Sequence, residues 1–320
     1  MCLYPKLIIN PKYKKNKKNQ GQIPPLRDER MLYIPIGCNQ CKECYKKKAN
    51  VWRIRLTEEI KKKEHGRGYF VTFTFNTESL EQLSKQIKEG IIGYDRDNAI
   101  AAKAIRLFTE RWRKKYKKSI RHWLITELGG GRYEHLHVHG LIWTKENFEE
   151  VRKIWKYGFV FPRDYQVKNN YVNNKSISYM IKYVTKFDEK HKNYKPIICC
   201  SNGIGSNYKA SPSEKNEDKY RTEKGYKLTM PIYYRNKIYT ENERENLWIK
   251  KLDENVRYIG TNKVKGEDTE IILQLLRQER EINKRDGYGG DEDTWQKKEY
   301  EITLRKLIHE KRKKDFENSK

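Results

Sequence analysis

The chain has 320 residues, 36% apolar and 35% charged, which is enough for one large domain or a core domain with an appendage and excludes a disordered chain. Its 70 Lys and Arg against 43 Asp and Glu give a formal charge of +27, which calls for a polyanionic partner, and nucleic acid bound by counterion release is the obvious one. An anionic membrane is the rival partner, but there is no run of about 18 apolar residues and no basic stretch leading into an apolar one, so a soluble, cytoplasmic protein without membrane contact is expected.

A Lys/Asn-rich loop from Lys12 to Asn19 comes first. Next is a cysteine cluster, Cys38, Cys41 and Cys44, in which three thiolates at C-x2-C-x2-C spacing suit a tetrahedral structural zinc. Cys2 supplies the fourth ligand if the N-terminus folds back. Free buried cysteines and an iron-sulfur cluster are the alternatives. A helix is predicted from about Tyr45 to Glu64, in which Lys46, Lys47, Lys48, Arg53 and Arg55 surround Trp52. That mixture suits single-stranded nucleic acid, and a solvated helix face with one buried tryptophan explains it equally well.

From Tyr69 to Phe75 the run YFVTFTF is β-branched and aromatic, a strand signal. Ile100, Ala104, Leu107, Phe108 and Trp112 recur at helical spacing between about Asn98 and Lys117. Arg121 to Leu128 and Glu134 to Trp143 read as strands joined by Gly129-Gly130-Gly131 into a hairpin. Helices follow from Glu146 to Lys156 and from Ser176 to Lys186, the second with Ser176 as its cap, and a strand begins at Phe159. Farther on, Ser201-Asn202-Gly203-Ile204-Gly205 reads as a plain turn, Lys227 to Tyr239 has strand character and Glu241 to Leu252 is helical. The tail from Glu267 holds two charged helices split at Gly287 to Gly290, whose surface-like charge suits docking of a host helicase or polymerase.

Three of the seven histidines fall in His135-Leu136-His137-Val138-His139. On a strand they share one face while Leu136 and Val138 take the other, and two imidazoles two residues apart can grip one divalent ion. With the hairpin turning at Gly129 to Arg132, Glu127 lands opposite Tyr133 to His135, within diagonal reach of His137, and is nominated as a further ligand. His-x-His alone would also fit a cupin-like oxygenase or hydrolase.

Wound at 3.6 residues per turn, Ile177, Met180, Ile181 and Val184 form a core stripe, and Tyr179, Lys182, Tyr183 and Lys186 a second stripe of the same spacing. Two phenols one turn apart can each reach a phosphodiester, and two ammonium groups can steady its charge and favour the phenolate. An amphipathic helix with tyrosines at a packed boundary is the plainer account of this helix taken alone.

Taken in order, CNQCKEC, FVTFTF, ITELGGG…HLHVHGLIW and YMIKYVTK resemble the replication initiators of microvirus bacteriophages, within the HUH endonuclease superfamily. The resemblance spans roughly Cys38 to Lys186. It implies that His137 and His139 are the paired metal ligands, that Tyr179 and Tyr183 are the nucleophiles, and that Lys182 and Lys186 stand in the positions of the family's lysines. His135 stands where related sequences often carry arginine or another polar residue, so metal ligation and DNA contact are both open to it. Mg2+ or Mn2+, a 5'-phosphotyrosine intermediate, and single-stranded or supercoiled origin DNA as substrate are implied as well.

The expected fold is α+β: an antiparallel sheet flanked by helices, of ferredoxin or RNA-recognition type. The expected boundaries are a basic, cysteine-bearing segment at 1–68, an endonuclease domain at 69–240 and a charged helical appendage at 241–320. Two other functions compete. A non-catalytic, zinc-stabilised nucleic-acid-binding protein leaves the Tyr/Lys stripe without a role, and a relaxase or transposase of another HUH branch shares the chemistry but not the biological step.

Overall fold

A computed structural model of the chain describes all residues except 132–133, 186–187, 189, 192, 267–268, 290–293 and 320, and the side chains of 294–300. The chain divides into two compact units, 1–51 with 208–292 and 52–207 with 293–320. The first unit opens with a hairpin of β1 (Lys6–Ile9) and β2 (Tyr33–Ile36), Lys6 facing Ile36. Helix α1 (Lys42–Ile60) follows, and its residues from Trp52 onward belong to the second unit.

The second unit continues with β3 (Arg67–Thr74), α2 (Thr77–Ser84), α3 (Gly93–Tyr116), β4 (Arg121–Leu128), β5 (Leu136–Thr144), α4 (Phe148–Ile154), β6 (Val160–Phe161), α5 (Asn174–Thr185) and β7 (Ile198–Cys200). The five strands pair antiparallel in the order β6-β3-β5-β4-β7, so the fold is α+β with β5 at the centre of the sheet. Side chains alternate across this sheet. Tyr69, Val71 and Phe73 of β3 and Leu136, Val138 and Ile142 of β5 go into a core that α3 completes with Ile100, Ala104, Phe108 and Trp112. Full burial of Phe73 or Phe108 contributes roughly 1.5–3 kcal/mol each. The other face carries Phe70 and Thr72 of β3, His137 and His139 of β5, and Ile125 and Glu127 of β4, because the register sets Thr72 and Ile125 against His139, and Glu127 against His137.

The first unit resumes with α6 (Pro212–Glu217), β8 (Lys219–Arg221), β9 (Lys227–Thr229), α7 (Ile232–Ile238), α8 (Glu241–Glu254), β10 (Val256–Ile259), β11 (Asn262–Lys265) and α9 (Thr269–Arg285). Helix α10 (Thr294–Asn318) returns to the second unit, where it packs on α3 and α2. The last 80 residues thus contribute to both units. Arg305 of α10 is 1% exposed and donates to both carboxylate oxygens of Asp97 on α3, at 2.9 and 3.1 Å, and to the carboxylate and carbonyl of Glu134, each at 2.9 Å. His309 places Nε2 3.0 Å from Asp97, and the charge of His309 and Arg305 holds the Asp97 carboxyl below the usual carboxylate range against the cost of its burial. Among the described residues no helix is long and apolar enough to cross a membrane.

Three local expectations change. The strand character of 227–239 holds only for β9. Pro231 has no N–H to extend a ladder, and its fixed φ of −57° leads into α7 instead. Helix α5 starts two residues early because Asn173, not Ser176, caps it: Asn173 Oδ1 accepts from the backbone N–H of Lys175 at 2.8 Å and of Ser176 at 3.0 Å. Glu127 stands directly opposite His137, not opposite 133–135, because the connection between β4 and β5 runs from Gly129 to His135.

Candidate active site and cysteine cluster

The strand places His137 and His139 half-buried on one face, as period two requires. His139 is held at both ends of its ring. Nδ1 lies 2.9 Å from Oγ1 of Thr72, and Nε2 lies 2.7 Å from Oε2 of Glu127. That second approach lacks hydrogen-bond geometry, so the buried Nε2 is paired with Glu127 electrostatically without a hydrogen bond. Two donor atoms side by side at this separation, with the far nitrogen fixed by a hydroxyl, suit joint ligation of a cation. The His137 ring occupies the space left by the missing side chain of Gly129: a Cβ there would sit 2.8 Å from Cε1 of His137. Burial, followed by the neighbouring His139, lowers the His137 pKa, so the ring is neutral and able to ligate at pH 7.

Two imidazoles and one carboxylate are a fitting donor set for a divalent ion with open positions, held by His139, Glu127 and, after a small movement of its ring, His137. Among the described residues their donor atoms do not close to within 4.8 Å of one another, and the two histidine rings are 6.1 Å apart. His135, just before β5, is half-buried, and burial together with the positive charges of Arg312 and Arg305 lowers its pKa.

Helix α5 buries Ile177, Met180, Ile181 and Val184, which turns the other stripe toward the histidines. Tyr183 stacks on His139 with ring centres 4.7 Å apart at 21°, and its hydroxyl lies 2.9 Å from that of Tyr179. Tyr179 is 48% exposed and stands edge-on to Phe70 at 5.7 Å. With the exposed Lys182, Asn174, Lys175 and Ser178, it lines an open depression of about 350 Å3. Lys186 lies outside the described residues. The lysines do not favour a phenolate at Tyr183: burial first, then the bond to Tyr179 and the charge of Glu127, push its pKa well above the ordinary value. The phenol is therefore protonated until something removes the proton during reaction. Thr72, Gly129 and Phe70 are the site residues that reasoning from residue types alone passed over. Thr72 and Phe70 were recoverable from the alternation of FVTFTF, and Gly129 from the glycine run beside the histidines.

The cysteines lie in the first unit. Cys2, Cys38, Cys41 and Cys44 bring their sulfurs within 4.8 Å of one another, with Cys38–Cys44 at 4.0 Å and Cys2–Cys41 at 3.9 Å. Zinc–sulfur bonds of about 2.3 Å in a tetrahedron put sulfurs roughly 3.8 Å apart, so the cluster can hold a structural metal such as zinc. Backbone N–H groups of Tyr4 and Cys38 donate to Cys2 Sγ at 3.4 and 3.2 Å, and that of Cys41 to Cys38 Sγ at 3.3 Å, which favours thiolate. Leu3, Ile259, Ile272 and Leu276 pack around it.

Two other segments have structural work. Trp52 stands edge-on to Trp123 at 5.7 Å beneath Arg55. In the 201–205 turn the carbonyls of Asn202 and Gly203 accept from Arg121, and the Gly205 N–H donates to Glu59.

No curated protein and no solved structure matches the chain. A family of known proteins does, over residues 68–188, the stretch from β3 to just beyond α5 that contains every histidine and tyrosine of the site. It is described as Replication-associated protein ORF2/gene 2 protein. Over residues 68–188 the chain is a replication-associated protein of this family, in agreement with the resemblance to phage rolling-circle initiators.

Proposed function

We propose that the protein starts rolling-circle replication of a circular single-stranded DNA phage by nicking origin DNA with a tyrosine, as an HUH-type endonuclease and strand transferase in the bacterial cytoplasm. The observation that carries this reading is the pair of phenols 2.9 Å apart with one ring stacked on the second histidine of His-x-His. His137, His139 and Glu127 are the proposed holders of Mg2+ or Mn2+, which when bound supplies Lewis-acid polarisation of a phosphate oxygen. His135 is assigned to DNA contact or to the edge of that set.

One tyrosine oxygen attacks the scissile phosphorus and the P–O3' bond breaks. The phenol proton leaves, the departing 3'-oxygen takes up a proton, and the 5'-phosphate remains esterified to tyrosine. One phosphodiester is exchanged for another, so no external energy source is required. Lys182 beside Tyr179 offers its ammonium group to the phosphate, and Lys186 is assigned the same task one turn on. After one round the second tyrosine cleaves the regenerated origin, and the released 3'-hydroxyl attacks the first linkage and closes a circle. Host polymerase and helicase are the proposed partners at the free 3' end.

Incubation with supercoiled origin DNA and Mn2+, followed by denaturing electrophoresis, tests this. A protease-sensitive protein–DNA adduct is expected, with each single Tyr→Phe change impairing circularisation and the Tyr179→Phe/Tyr183→Phe pair losing at least about 10^4-fold of adduct, the scale of nucleophile removal. Undiminished adduct in the double variant refutes the assignment.

A further inference from the structure

Within the first unit, the Lys12–Asn19 loop, β2 and α8 enclose a groove of about 660 Å3 that the nicking reaction does not use. Its floor is apolar, with Met31, Ile34 and Leu247 beside Trp248. The indole N–H of Trp248 is buried without a hydrogen-bond partner, which leaves a strong donor wanting an acceptor inside a cavity. The cations around the groove divide into two kinds. Lys12 is bound to Glu241 and Glu245, and Arg235 and Lys251 to Asp218, so those charges are internally balanced. Lys18 has no carboxylate partner among the described residues, and Arg244 donates only to the neutral Asn236 side chain and Tyr239 carbonyl, at 3.4 and 3.5 Å.

The loop that presents Lys18 is tied down by asparagine. Asn16 Oδ1 accepts from the Lys18 N–H at 2.8 Å, Asn16 Nδ2 donates to the carbonyls of Pro11 and Lys14, and Asn19 Nδ2 donates to Lys14. The Lys/Asn-rich run is thus an ordered rim whose cation faces solvent at the edge of an apolar, aromatic cavity. An apolar slot with one inward donor and two uncompensated cations at its mouth matches a flat heteroaromatic ring with an acceptor, attached to a phosphate.

We propose that this groove binds one unpaired base of single-stranded DNA, the base accepting from the Trp248 indole and lying on the apolar floor while its adjoining phosphates meet Lys18 and Arg244. The proposal rests on the replication reading for its ligand but not on the tyrosine chemistry. It gives the first unit a task in holding the melted strand.

The test uses the full chain carrying Tyr179→Phe and Tyr183→Phe, so that binding is read with nicking removed. A fluorescent oligothymidylate is titrated without added divalent metal, and anisotropy is followed against salt. Trp248→Phe, which keeps an aromatic ring and removes the donor, is expected to weaken binding about fivefold. Lys18→Gln with Arg244→Gln should lower the slope of log K against log salt by about 1.4, two phosphate contacts at roughly 0.7 each for a single strand. Photocrosslinking of an iodouracil-substituted oligonucleotide to the peptide containing Trp248 supports the site even where a substitution disturbs folding. Unchanged affinity and slope in both variants, or crosslinks confined to residues outside the groove, overturn it. Either result leaves the adduct experiment on the unmodified tyrosines standing.

Discussion

The cysteine cluster and the histidine–tyrosine face are both sets of converging donor atoms, and they converge to different degrees. Four sulfurs close to within 4.8 Å of one another, whereas Glu127 and His139 meet and His137 stands off. A structural site gains by being complete, because its ion holds the fold together; a catalytic site must leave a coordination position for substrate. Closure in one unit and openness in the other therefore separate scaffold from chemistry before any ion is considered.

The largest effect should come from opening the closed set. Cys41→Ser removes the most buried sulfur, and since structural zinc contributes on the order of 10 kcal/mol to small domains, the first unit should lose bound metal and unfold. Elemental analysis should show one zinc fewer per chain, and hydrogen exchange should show loss of protection at 1–51 and 208–292 with 69–144 largely retained. Equal loss in both units would erase the distinction.

A second break tests buried charge, not metal. Arg305 sits with Asp97 and Glu134 in a fully enclosed network, and removing one partner of such a set strands the others. Arg305→Met should cost about 3–5 kcal/mol in the second unit, read by denaturant unfolding. Because Arg305 also holds the carbonyl of Glu134, one residue before His135, the variant should loosen the entry to the histidine strand and leave zinc content unchanged. A loss under about 1 kcal/mol would mean that α10 is a surface addition after all.

Much of the face that carries the chemistry was legible because periodicity alone arranges it. Period two put His137 and His139 together, and period 3.6 put Tyr179 and Tyr183 on the stripe opposite Ile177 and Met180. What was not legible depended on lengths and partners far away in sequence. The register of Glu127 against His137 turns on how many residues the β4–β5 connection consumes. The cap at Asn173 competes with a serine equally able to cap. The burial of Arg305, His309 and Arg312 could not be read from a helix as charged as α10, because their acidic partners Asp97, Glu134 and Glu81 lie some 170 to 230 positions away in the chain. Trp248 gave no signal, since one tryptophan in an amphipathic helix ordinarily packs.

The open set can be sharpened with a smaller perturbation. Thr72→Val keeps the shape of the side chain and removes the hydroxyl that fixes His139. Loss of such an outer partner typically weakens metal binding 10–100-fold, so the Mn2+ concentration for half-maximal nicking should rise by about that factor while DNA binding without metal stays the same. A rise no greater than twofold would show that His139 is oriented by its stacking on Tyr183 instead.

The smallest effect separates two histidines that burial treats alike. His122 on β4 and His137 on β5 both have lowered pKa values, chiefly by desolvation, but His122 lies on the opposite face of the sheet, with Nδ1 3.0 Å from the carbonyl oxygen of Ile120 and 3.1 Å from the Ser201 hydroxyl. A lowered folded pKa means that the unfolded chain takes up the proton first. The stabilisation from neutral His122 is therefore complete above the unfolded value of about 6.5 and is lost as pH falls toward and through the folded one. His122→Gln should flatten the fall of the unfolding midpoint below about pH 6.5. In ring NMR spectra Mn2+ should broaden His137 and His139 strongly and His122 less, because only the first two face the proposed ion. Equal broadening of all three, or none at His137, would place the ion elsewhere and leave the histidine strand as a packed sheet face.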